Sequence, residues 1–117
     1  MDKKNSLINL GCRLNIYDGE IIKNHLNNNN IKNVTVINSC AVTAEAEKKV
    51  AYEIRKAKRT NPKNKIIVTG CAAQINPKKY HAIEEVDLVL GNKEKLLSEV
   101  WSNLNFSEPI QVNYILL

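Results

Sequence analysis

Cys12, Cys40 and Cys71 are the only thiols in the chain, at intervals of 28 and 31 residues. A thiolate is both a nucleophile and a soft metal ligand, so what these three could do depends on whether the fold lets them meet. None belongs to a C-x-x-C pair, and their number is odd. That spacing fits neither a secreted disulfide framework nor a zinc ribbon. Each thiol directly follows a short apolar run: Leu10-Gly11-Cys12, Asn38-Ser39-Cys40 and Thr69-Gly70-Cys71.

The elements that must position the thiols follow from the hydrophobic pattern. Four apolar runs, Leu7 to Leu10, Val34 to Asn38, Ile66 to Thr69 and Leu88 to Leu90, alternate with helical stretches. Such alternation predicts an α/β fold: a small, open, Rossmann-like parallel sheet of about four strands with crossover helices. A first helix is expected over about residues 16 to 27, with Ile21, Ile22 and Leu26 buried and Asn28 to Asn30 ending it. A second is expected from an N-cap at Thr43, with Glu45 and Glu47 in its first turn and Lys56, Lys58 and Arg59 near its end. Val50, Ile54 and Ala57 form its apolar face, and Asn61-Pro62 stops it. A shorter helix is expected around Pro77 to Ile83. A fourth should follow Gly91-Asn92, with Leu96, Leu97, Val100, Trp101 and Leu104 on one side and Trp101 in the core.

In this reading each thiol stands just past the carboxyl end of a strand, the edge of an open parallel sheet where ligands bind. The intervals between thiols each equal one strand-helix-strand unit, so the three occupy equivalent places. If their strands are neighbours in the order 2-1-3, three sulfurs lie within roughly 10 Å, a span that an iron-sulfur cubane bridges. Gly11 and Gly70 would let the backbone turn sharply there. The pattern leaves two readings open: ligands or reactive thiols, or small hydrophobes buried in the core. Structural zinc fits less well, because it takes four ligands and the histidines, His25 and His81, lie in expected helices as surface or capping residues. Three thiolates on a 4Fe-4S cluster would leave one iron open, which points to chemistry rather than electron carriage.

Length and charge set the outer bounds. The 117 residues suffice for one domain, expected over residues 1 to 105, with residues 106 to 117 as a short, unfinished or truncated tail without a partner. A formal charge of +5 permits a polyanionic partner. The basic stretch Lys48, Lys49, Arg55, Lys56, Lys58, Arg59 nevertheless reads first as a solvated helix face. Tyr17, Tyr52 and Tyr80 form no stacking platform and are assigned to packing. Without an apolar stretch long enough for a membrane span, and with a polar start, the chain reads as cytoplasmic.

At the thiols themselves the sequence resembles the N-terminal domain of the tRNA methylthiotransferase family. The matching segments are Gly11-Cys12-Arg13-Leu14-Asn15, Asn38-Ser39-Cys40-Ala41-Val42-Thr43-Ala44-Glu45-Ala46-Glu47 and Val68-Thr69-Gly70-Cys71-Ala72-Ala73-Gln74, with Asp87 to Lys93 closing the domain. The first two look most like the branch that methylthiolates threonylcarbamoyladenosine beside the anticodon of tRNA. The resemblance implies that Cys12, Cys40 and Cys71 bind an auxiliary 4Fe-4S cluster, with Asn15 supporting the first cysteine loop or capping a helix. It also implies, for a full-length member, S-adenosylmethionine, a second cluster in a radical domain, and tRNA as substrate. The radical domain's C-x-x-x-C-x-x-C motif does not occur in this sequence, so the chain is expected to be a truncated member, inactive alone. The alternatives are a stand-alone cluster or metal module that gives sulfur or electrons to a separate radical-domain chain, or a non-functional remnant.

Overall fold

The computed structural model describes residues 5–10, 13–39, 44–92, 94–104 and 110–111. Five strands form one parallel sheet: β1 (Ser6–Asn9), β2 (Val34–Ser39), β3 (Lys65–Gly70), β4 (Leu88–Leu90) and β5 (Ile110–Gln111). Between them run helices α1 (Arg13–Asn28), α2 (Ala44–Thr60), α3 (Cys71–Ile75), α4 (Pro77–His81) and α5 (Ser98–Ser102). The α/β class and the open parallel sheet agree with the sequence reading.

The strand order is β1-β2-β3-β4-β5, which settles the order left open by the sequence and differs from the common 2-1-3. Burial supplies the reason. All six residues of β2 are buried, as are all of β3 but Lys65, whereas β1 is half-buried with Asn9 exposed. Strands apolar on both faces belong inside a parallel sheet, and a short strand bracketed by Ser6 and Asn9 can stand at its edge.

Each face of the sheet has its own core. One is built from Ile37, Ile66, Val68 and Val89 of the strands against Val50, Ile54 and Ala57 of α2, with Ala73 and Tyr80 beyond. The other packs Val34, Val36, Ile67, Leu88 and Leu90 against Ile22 and Leu26 of α1 and Trp101 of α5. These sets alternate along each strand, as a pleat requires. The steps β1→β2 and β2→β3 run the same way across the sheet, yet α1 and α2 cover opposite faces. The two crossovers therefore have opposite hand, and one of them is of the uncommon left-handed kind.

Asparagine ends α1 as expected. Asn30 takes a left-handed φ of 53°, and two hydrogen bonds, Ile31 N to Leu26 O at 3.0 Å and Asn30 N to Asn27 O at 3.3 Å, close a Schellman motif. In α2, Glu45 and Glu47 occupy the first turn and Lys58 and Arg59 the last, while the expected cap Thr43 lies outside the described residues. Lys48, Lys49, Arg55, Lys56 and Arg59 are exposed opposite the buried Val50, Ile54 and Ala57, so this stretch is a solvated face. Among the described residues no helix is long and apolar enough to cross a membrane.

Three expectations are corrected in the second half. Between β3 and β4 there are two short helices, not one, the first starting at Cys71 itself. The single helix expected after Gly91-Asn92 is instead a 3-10 turn, Glu94–Leu96, followed by α5, with Leu97 extended between them. Lys95 there is buried and Leu96 is 37% exposed, the reverse of the apolar periodicity, because the Lys95 ammonium finds fixed partners inside. Finally, Ile110 and Gln111, expected in an unpaired tail, pair with Val89 and Leu90 of β4.

Candidate functional site

The carboxyl edge of the sheet is where the sequence put its thiols, and the register there is level. Asn9 of β1 is opposite Asn38 of β2, and Ser39 of β2 is opposite Gly70 of β3. Cys40 and Cys71 are therefore the next residues in the chain after two register partners, and Cys12 comes three after Asn9. Cys71 opens α3, although its side chain, like Cys12 and Cys40 as whole residues, lies outside the described set. Among the described residues no group of three His, Cys, Asp or Glu is placed to hold a metal ion. Gly11 is also outside that set. Asn15 is the third residue of α1, so the helix begins before it, and its side chain is not described.

Gly70 shows how closely the strand ends approach. Its φ is +107°, and a Cβ there would stand 1.9 Å from the Ser39 carbonyl oxygen. Only glycine permits both the dihedral and the approach. The Ser39 hydroxyl donates to the Thr69 carbonyl at 2.8 Å, and the Thr69 hydroxyl to the Gly91 carbonyl at 3.3 Å. Gln74 of α3 then accepts from the Asn92 amide at 2.8 Å. Polar groups thus link the ends of β2, β3 and β4 to the helix that starts at Cys71.

A second chain of contacts ties the ends of β1 and β2 to α1. Asn38 Nδ2 donates to Asn9 Oδ1 at 3.1 Å, and the Leu10 amide to the Asn38 carbonyl at 2.9 Å. Helix α1 comes so near that a Cβ on Gly19 would lie 2.4 Å from Asn9 Nδ2. Behind Asn38 sits Lys95, 2% exposed, whose ammonium donates to Asn38 Oδ1 at 3.1 Å and pairs with Asp18 Oδ2 at 3.0 Å. Trp101 Nε1 donates to the Lys95 carbonyl at 2.8 Å and fixes the backbone from which that side chain projects. A buried cation is tolerable only when paired and hydrogen-bonded, and this one is both.

Sequence reasoning pointed to the thiols, whose side chains lie outside the described residues, and did not anticipate this support. Asn38 was the available signal, an amide at an inward position of a β-branched strand, as was Gly19 in the middle of a helix. Nothing local marks Lys95, whose partners are 57 residues away at Asn38 and across the sheet at Asp18. The histidines behave as expected: a ring nitrogen of His25 contacts the Leu96 carbonyl at 3.0 Å, and His81 is exposed at the end of α4.

Known proteins are similar to this chain in sequence. Residues 4–91 match the family described as uncharacterized protein family UPF0004. A threonylcarbamoyladenosine tRNA methylthiotransferase MtaB from Rickettsia prowazekii (strain Madrid E) is 50% identical over 113 residues, 97% of this chain and 26% of the relative. Its counterpart from Aquifex aeolicus (strain VF5) is 39% identical over 94 residues, 74% of this chain and 23% of the relative. A tRNA-2-methylthio-N(6)-dimethylallyladenosine synthase from Desulfotalea psychrophila is 38% identical over 95 residues, 71% of this chain and 21% of the relative. The chain spans about a quarter of the length of these relatives. With three-quarters of its residues inside the family match and MtaB relatives up to 50% identical, the chain belongs to the UPF0004 family of methylthiotransferase domains, on the MtaB branch.

Proposed function

We propose that this chain is the auxiliary-cluster domain of a threonylcarbamoyladenosine tRNA methylthiotransferase, with Cys12, Cys40 and Cys71 as thiolate ligands of a 4Fe-4S cluster. The observation that carries the reading is the adjacency of β1, β2 and β3 with level carboxyl ends, each leading within three residues to a cysteine. Two interstrand steps of about 4.8 Å separate the outer two of these strands, so the span computed for the order 2-1-3 is unchanged in the order 1-2-3.

The donor set suits such a group. Thiolates are the usual cluster ligands, and the tight seam at Gly70 and Ser39 fixes the separation of the two strand ends that directly precede Cys40 and Cys71. When bound, a cluster with three protein ligands offers an open iron able to carry sulfur. The residues of this chain hold the strand ends level. The start of α1, directly after Cys12, contributes a positive helix end toward thiolate charge.

The remaining chemistry belongs elsewhere. Radical activation in the family needs S-adenosylmethionine and a second cluster, and the three cysteines of this chain are all taken. In this reading the chain supplies a part of a larger cytoplasmic enzyme and does not methylthiolate tRNA by itself.

Anaerobic reconstitution with iron and sulfide tests the proposal. The parent chain is expected to take up about four irons with thiolate-to-iron absorption, and the Cys12, Cys40, Cys71 triple alanine variant almost none. Equal, negligible iron in both sinks the cluster reading.

A further inference from the structure

We propose that Lys95 is the positioning residue of the thiol edge, a buried cation that fixes the ends of β1 and β2 and offsets negative charge gathered there. The inference rests on the cluster reading above and adds a residue that none of the three cysteine motifs contains.

The contacts define the role. Lys95 reaches from the 3-10 turn after β4 back across the sheet, a separation of 57 residues, to Asn38, two residues before Cys40. Through Asn38 it is linked to Asn9, three residues before Cys12. Its counter-charge, Asp18, lies on α1, the helix that begins directly after Cys12. These contacts therefore join β1, α1 and β2, three of the four described elements that flank the first two cysteines. The arrangement is also costly to build, because a lysine stem long enough for the task gives up its rotamer freedom and its ammonium its water. An apolar residue at this position would continue the surrounding core of Trp101, Leu88 and Leu90 without either cost.

Charge gives the role a sign. A cluster with three thiolates is anionic, and one-electron reduction adds a further negative charge. A buried positive charge close by favours the reduced form, and a buried negative charge opposes it, with little screening by salt. Lys95→Met removes the cation and leaves Asp18 uncompensated, whereas Asp18→Asn keeps the shape and leaves the cation in excess.

The test uses the full chain as parent, Lys95→Met, Asp18→Asn and the double variant, each reconstituted anaerobically with iron and sulfide. The midpoint potential is expected to move to more negative values in Lys95→Met and to more positive values in Asp18→Asn, with the double variant between them. Loss of packing alone would move both single variants the same way. In the metal-free chain, each single variant is expected to melt lower than the parent and the double variant closer to it than their summed losses. Shifts of one sign, or none, in variants that hold iron overturn the role of Lys95 and leave the cluster reading intact. Strictly additive melting losses overturn the ion pair itself, and a parent chain that takes up no iron overturns both proposals.

Discussion

The two faces of the sheet each bury one large aromatic residue with a polar handle, and they treat it differently. Trp101, on the face with α1, is 1% exposed and its Nε1 donates to the Lys95 carbonyl. Tyr80, on the face with α2, is equally buried, and its hydroxyl has no hydrogen-bond partner among the described residues. One face combines apolar packing with a connected polar network. The other also holds buried polar contacts, Asn64 Nδ2 to Thr35 Oγ1 at 3.1 Å and Ser39 Oγ to the Thr69 carbonyl at 2.8 Å, but among the described residues none of them reaches its aromatic hydroxyl. The network that includes the aromatic anchor is on the side that ties together the strand ends preceding Cys12 and Cys40, and rigid placement of those ends is what the proposed three-thiol site would demand.

The comparison presumes that both faces share fixed strand ends, and Gly70 is where that presumption breaks most easily. Gly70→Ala puts a methyl group against the Ser39 backbone at a φ that L-residues avoid, and neither contact is with a side chain that could move away. Strain and overpacking together are expected to cost about 3 kcal/mol or more. Urea denaturation checks it. A loss below about 1 kcal/mol would mean that the β2–β3 seam is loose and that neither face is held at that edge.

Trp101→Phe sharpens the contrast directly. The variant keeps an aromatic ring, leaves the Lys95 carbonyl without its donor and opens space in the core, for an expected loss of about 2 kcal/mol. Because the same carbonyl anchors Lys95, the reconstituted variant should also show an altered midpoint potential. Stability loss with an unchanged potential would confine Trp101 to packing and separate it from the thiol edge.

How much of this could be read from the residues divides along the same line. Alternating apolar runs with dipole-matched helices predicted the α/β class, and Gly70 marked the carboxyl end of β3 directly before Cys71. Local chemistry sufficed there, as it did for the asparagines that end α1. Strand order was left open because it depends on which strands are buried on both faces, a comparison among strands rather than a property of one. The helix expected through Leu96 and Leu97 was missed because a buried ion pair with Asp18 overrides apolar periodicity, and its partners are remote in sequence. The pairing of Ile110 and Gln111 was missed because two residues carry no strand signal without the neighbour they join.

Tyr80→Phe is the smallest change and the one that separates the faces most cleanly. Removing a buried hydroxyl without a partner among the described residues is expected to be neutral or to stabilise by up to about 1 kcal/mol at neutral pH. Its alkaline behaviour carries a sign as well. Burial first, and the nearby Glu47 carboxylate second, push the Tyr80 hydroxyl above its ordinary pKa of 10.0. The unfolded chain therefore gives up this proton at a lower pH than the folded one. The contribution of neutral Tyr80 is fully present below pH 10 and declines as pH rises above it. The parent should accordingly lose more stability than Tyr80→Phe above pH 10, with the two parallel below. If Tyr80→Phe instead loses a kilocalorie or more at pH 7, the hydroxyl is engaged after all, and both faces of the sheet are built with connected polar anchors.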